Sequence, residues 1–166
     1  MRLFVSLRPP AVALDHLAAA LAGRPTNRRD QWHVTLAFLG EVPDPASLFE
    51  PLRTAAAAHP PPQLRLSGGG SFSGARAVWA GLAGDVEGLR ALAADVQRAC
   101  RDAGVPLEER HYRPHLTVGR LGRLDRQALA AYDGPSWRAG RIDLVRSVLG
   151  RTVEHTVLRT FPLRPA

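Results

Sequence analysis

At 166 residues the chain is long enough to bury a substantial core as one domain, or as two small lobes packed closely together. Apolar residues at 45% and charged residues at 22% are the proportions of a globular protein and exclude a disordered chain. The net charge of +7 rests on 22 arginines with no lysine, a usage that suggests coding bias; it still favours anionic partners such as nucleic acid or phosphorylated ligands without naming one.

No apolar run approaches the roughly 18 residues that cross a bilayer, and Met1 to Leu7 is too short for a signal peptide, so a cytoplasmic protein without membrane contact is expected. The chain opens with a strand at Arg2 to Leu7, and Pro9-Pro10 then starts a helix with Val12, Leu14, Leu17 and Leu21 as its apolar stripe. His16 reads as a surface residue of that helix. Arg24 to Asp30 is an arginine-rich loop. A strand follows over Trp32-His33-Val34-Thr35-Leu36-Ala37-Phe38-Leu39-Gly40. Asp44 is placed to cap an Ala-rich helix with Pro45 at its first position, closed by His59-Pro60-Pro61-Pro62, which leaves His59 in a loop without an evident partner.

Gln63 to Leu66 and Arg76 to Leu82 read as strands joined by the glycine-rich loop Gly68 to Gly74. That loop lacks the Gly-Lys-Ser/Thr ending of a nucleotide P-loop and leads into a strand. Asp85 to Ala103 is the clearest amphipathic helix; Leu89, Leu92, Ala93, Val96 and the lone Cys100 line one face, so Cys100 is expected to be buried and inert. A second strand begins at Pro114-His115-Leu116-Thr117-Val118-Gly119-Arg120. A short helix is expected over Leu124 to Tyr132, ending near Gly134-Pro135, and two strands close the chain at Arg141 to Leu149 and Thr152 to Phe161, with His155 exposed.

The two strands at His33 and His115 carry the same pattern, His-x-Thr within an apolar run, 82 positions apart. In a strand, successive side chains alternate between faces, so each histidine shares a face with its threonine while the intervening residues enter a core. Two such strands side by side would gather two imidazoles and two hydroxyls in one groove. Free histidine titrates near 6.5, so one ring can accept a proton while the other donates one. That division of labour suits in-line displacement at a ribose 2′,3′-cyclic phosphate, with the threonine hydroxyls hydrogen-bonded to the phosphate oxygens where charge develops. His115 is read as the base and His33 as the acid, with the reverse order left open by the sequence, in a scheme that needs no metal. His111 and His115 have helical zinc spacing, but Pro114 disfavours a helix at Arg113 and no glutamate follows His111. Neither a Gly-x-Ser-x-Gly elbow nor an accessible cysteine points to nucleophilic catalysis.

With these motifs, the opening Arg2-Leu3-Phe4-Val5-Ser6-Leu7, the word Val78-Trp79-Ala80-Gly81-Leu82 and the closing Phe161-Pro162-Leu163, nearly the whole chain resembles the 2H phosphoesterases, in their RNA 2′,3′-cyclic phosphodiesterase or 2′-5′ RNA ligase branch. The resemblance implies an α+β fold that is bilobal, with two largely antiparallel sheets related by a pseudo-twofold, helices outside and a central cleft. Residues 1–166 would form one such domain with an internal repeat of about 1–82 and 83–166. It further implies hydrolysis of 2′,3′-cyclic phosphate ends to 2′-phosphates, no cofactor, and His33, Thr35, His115 and Thr117 as catalytic residues. RNA ends or nucleotides with a cyclic phosphate are the expected partners of a monomer. Arg120 matches a basic position after the second motif and is a candidate for phosphate binding; Phe72 and Tyr112 are candidates for stacking a base. Two other functions fit the same residues: ligation of a cyclic-phosphate end to a 5′-hydroxyl, and non-catalytic binding of RNA ends or nucleotides.

Overall fold

Every strand in the structure pairs antiparallel with its neighbours, the pattern that short strand-to-strand connections favour. The structure, a computed structural model, describes residues 1–72 and 76–165. In chain order it contains β1 (Arg2–Leu7), α1 (Ala11–Ala20), β2 (Val34–Glu41), α2 (Phe49–Ala57), β3 (Leu64–Ser71), β4 (Ala77–Gly84), α3 (Val86–Asp102), β5 (His115–Arg120), β6 (Asp133–Trp137), β7 (Arg141–Val148) and β8 (Glu154–Pro162). The α+β class expected from the sequence is the one observed. In place of two sheets, the strands form one eight-stranded sheet, ordered β6-β3-β4-β5-β2-β1-β7-β8. The reason for the difference lies at its centre, where β5 meets β2 through a single residue pair, Val34 with Leu116. Two four-stranded halves, β6-β3-β4-β5 and β2-β1-β7-β8, are thus joined by one narrow seam.

Strand β1 is buried from Leu3 to Leu7 because it lies between β2 and β7. Leu3, Val5 and Leu7 join the main core, together with Val34 and Leu36 of β2, Leu116 of β5 and the helix residues Leu14, Leu17, Leu52, Leu89, Leu92 and Val96. Each such leucine contributes about 1.5–3 kcal/mol through removal of its surface from water. Helix α3 is fixed at its start by the Asp85 carboxylate, which accepts from the Gly88 N–H at 2.9 Å, and stops at Gly104, whose φ of 98° is left-handed. Cys100 sits on its buried face as expected. Opposite the helices, Phe4 and Ser6 of β1 face the side of the sheet that carries the His-x-Thr residues.

Three expectations fail locally. The glycine-rich stretch is mostly strand: Gly69 pairs with Ala80 and Gly70 with Trp79 in the β3–β4 ladder. Glycine is needed there because a Cβ at Gly69 would come within 2.6 Å of Leu129 Cβ and of the Trp79 carbonyl oxygen. Ser73 and Gly74, the rest of the expected loop, lie outside the described residues. The segment Leu124 to Tyr132 is a series of turns; its bonds run from Ala128 to Asp125, Ala130 to Gln127 and Tyr132 to Leu129, all three residues apart, so no α-helical ladder forms. Gly134-Pro135, expected only to stop that helix, lies within β6. Pro135 is tolerated because β6 is the outermost strand and has a neighbour on one side only.

Candidate active site

The seam between the sheet halves is where the two motifs meet. Val34 stands opposite Leu116 in antiparallel register, so continuing one residue in each direction sets His33 opposite Thr117 and Thr35 opposite His115. The motif side chains occupy the face away from the helices, where His33 meets Phe4 of β1 and His115 meets Trp79 of β4.

Each imidazole is held from its own backbone. His115 Nδ1 donates to the Arg113 carbonyl at 2.7 Å, leaving Nε2 for the cleft, and His33 bonds likewise to the backbone of Gln31. Pro114 helps by restricting Arg113 to extended conformations. The surroundings of the rings differ. His33 is stacked on Phe4 at 4.7 Å and 19° between planes, and His155 of β8 stands edge-on to it at 5.5 Å. Burial is the main reason that His33 is pushed down to about 4; the nearby charges of His155, Arg8 and His115 act in the same direction, while the Gln31 bond opposes. His115 meets Phe72 edge-on at 4.8 Å, with Trp79 at 6.4 Å, and burial lowers its pKa against the pull of the Arg113 carbonyl.

His155 corrects the expectation of an exposed strand residue. It is half-buried, 5.0 Å from Phe4, and titrates below the ordinary histidine range, first because of burial. No local signal could mark it, since its partner His33 is brought near only by the β2-β1-β7-β8 order. The other histidines with resolved partners lie away from the seam: His59 pairs with Asp95 at 2.5 Å and His16 with the Tyr132 hydroxyl at 2.8 Å. Among the described residues, no three His, Cys, Asp or Glu side chains group as ligands for a metal ion.

A cleft of about 720 Å3 lies beside His115 and runs along β2 from Thr35 to Gly40, walled on its other side by Phe72, Pro106, Leu107, Tyr112 and Arg113 among others. It opens because β5 does not continue alongside β2. Two of the β2 carbonyls meet side chains instead: the Tyr112 hydroxyl donates to Thr35 O at 2.8 Å and Gln97 Nε2 to Leu36 O at 2.9 Å. Tyr112 thus lines the cleft with its hydroxyl committed to the backbone, and burial raises its pKa. Phe72 stands at the His115 end, with the Arg113 guanidinium 5.8 Å from its ring centre.

Arg120 reaches the cleft face through a bulge. The β4–β5 ladder pairs Trp79 with Thr117 but Val78 with Gly119, so Val118 is the extra residue and alternation shifts by one. Strict alternation from His115 would have turned Arg120 towards the helices.

A family profile for the 2′-5′ RNA ligase superfamily matches residues 6–151. The chain belongs to this superfamily. The RNA 2′,3′-cyclic phosphodiesterase of Geobacillus stearothermophilus is 31% identical over 157 residues, covering 88% of this chain and 50% of that protein. The chain therefore spans about half the length of that relative. Among solved structures, TT0787 of Thermus thermophilus superposes with a TM-score of 0.80 at 26% identity, over 99% of both chains. E. coli LigT complexed with 3′-AMP gives 0.73 at 29%, covering 98% of this chain and 97% of that one.

Proposed function

We propose that this protein is a phosphoesterase that hydrolyses 2′,3′-cyclic phosphates at RNA ends or on nucleotides, leaving a 2′-phosphate and a free 3′-hydroxyl. The observation that carries the reading is the meeting of two His-x-Thr pairs on one face of adjacent strands. Water attacks phosphorus as one imidazole takes its proton. The P–O3′ bond breaks as the other imidazole protonates O3′, and Thr35 and Thr117 donate to the non-bridging oxygens. Arg120, on the same face, is suited to the phosphate charge.

The order assigned from sequence, His115 as base and His33 as acid, requires His33 to enter the reaction protonated. Its burial against Phe4 works against that in the free protein. An anionic phosphodiester lodged beside the ring works for it, so the acid gains its proton together with the substrate. The relatives' names support the substrate class, and the net charge of +7 suits an anionic polymer. The test is product analysis on 2′,3′-cyclic AMP with a chelator present. Conversion to 2′-AMP is the expected result, and no turnover, or 3′-AMP as product, would overturn the proposal.

A further inference from the structure

One arginine beside the motif residues has no part in the scheme above. Strand β1 ends at Leu7, which pairs with Val34, so the next residue, Arg8, emerges beside His33, on the face that Ser6 shares with the motif residues. Its guanidinium is fixed by the backbone just upstream of His33: Nη1 donates to the Asp30 carbonyl at 3.2 Å and Nη2 to the Arg29 carbonyl at 3.1 Å. These bonds leave the remaining N–H donors of the fork for a ligand. The neighbouring arginines face carboxylates: Arg28 lies 3.3 Å from Asp30 and 3.4 Å from Glu154, and Arg29 lies 2.5 Å from Asp15. Among the described residues Arg8 has no carboxylate partner. Its charge is felt at His33, where it acts against protonation.

Strand β1 flanks β2 on the side away from β5, so Arg8 stands beyond His33 as seen from the seam. An anion held there is distinct from a phosphate held between the motifs. A nucleotide that ends in a 2′,3′-cyclic phosphate carries its other phosphate at O5′, and in an RNA strand that oxygen is esterified to the preceding nucleotide. We propose that Arg8 binds this upstream phosphodiester, so that the site takes the end of an RNA strand in preference to a free cyclic mononucleotide; the assignment rests on the function proposed above. A planar guanidinium can meet two oxygens of one phosphate at once, and here its orientation is settled before the strand arrives. No internal ion pair has to open before the phosphate binds.

The experiment measures kcat/KM on 2′,3′-cyclic AMP and on the dinucleotide ApA bearing a 2′,3′-cyclic phosphate, for the wild-type protein, Arg8→Gln and Arg8→Lys. Wild-type protein should prefer the dinucleotide. In Arg8→Gln the ratio of dinucleotide to mononucleotide values should fall about 10- to 100-fold. Any change transmitted through His33 acts on both substrates and cancels in that ratio. Arg8→Lys, which keeps the charge without the fork, should lie between the two. For the dinucleotide, the slope of log kcat/KM against log salt should shrink by about 0.7 in Arg8→Gln, the share of one phosphate contact on a single strand. An unchanged ratio or salt slope in Arg8→Gln, or wild-type protein without a preference for the dinucleotide, overturns the assignment while the proposed hydrolysis stands. If Arg8→Gln fails to fold because the Arg29 and Asp30 carbonyls lose their donor, Arg8→Lys decides, since it too must lower the ratio. No turnover of either substrate by the wild-type protein sinks the underlying reading as well.

Discussion

The two motif strands are built alike and housed differently. On β2, His33 is pressed flat against Phe4 and touched by His155, deep enough that burial holds it neutral down to about pH 4. On β5, His115 meets only ring edges and keeps a 2.7 Å bond from Nδ1 to a backbone carbonyl that favours its charged form. Matching three-residue words therefore do not make matching acids. The backbone motif determines where the nitrogens sit, and the packing around each ring determines how willingly it holds a proton.

The most severe way to break this comparison is to remove the rings singly. His33→Gln and His115→Gln should each lower turnover of 2′,3′-cyclic AMP by about 10²- to 10⁴-fold, with an unchanged circular dichroism spectrum. The comparison sharpens with a substrate whose bridging 3′-oxygen is sulfur, because a thiolate leaves without a proton. His33→Gln should regain most of its activity on it and His115→Gln none. Rescue of His115→Gln alone would reverse the two roles, and near-normal activity of either variant on the oxygen substrate would end the two-histidine scheme.

A second effect concerns stability. His33 is neutral in the folded protein and titrates near 6.5 once unfolded, so below about pH 6.5 the unfolded chain binds the extra proton. Stability should then fall as the pH drops from about 6.5 towards about 4, where the folded form protonates too and this contribution is fully lost. Thermal melts at pH 7 and pH 5 should show a smaller drop for His33→Gln than for the wild-type protein; equal drops would mean that His33 is not held neutral by its surroundings.

The smallest effect belongs to His155. Its charge is the second cause of the His33 shift, after burial, so His155→Gln should raise the His33 titration while leaving it below 6.5. His115 should not move. Proton NMR of the imidazole C–H resonances measures both rings in one sample, and a matching shift at His115 would contradict the separate environments described for the two strands.

Much of the candidate site's arrangement was legible in the sequence because its main unit is local: each histidine lies two positions before its threonine, and alternation alone puts them on one face. The same rule failed a few positions later. Phe38 and Arg120 are turned to the motif face of the sheet by bulges at Leu36 and Val118, and a bulge is set by the register between strands, which a single strand's pattern does not contain. His155 was read as exposed because the ring it meets is far away in sequence and reached only through two intervening strands. Glycines 69 and 70 looked like a loop because glycine usually marks one; here they make room for Leu129 and Trp79.

The joint between the sheet halves, with its single backbone pair, is the least cohesive place in the sheet, and it is also where the motif residues are divided between the two sides. A ligand gripped by His33 and Thr35 from one side and by His115 and Thr117 from the other would act as a clasp. Its binding energy becomes cohesion across a line where the polypeptide supplies little of its own, so occupancy would slow amide hydrogen exchange along β2 and β5 more than in the outer strands.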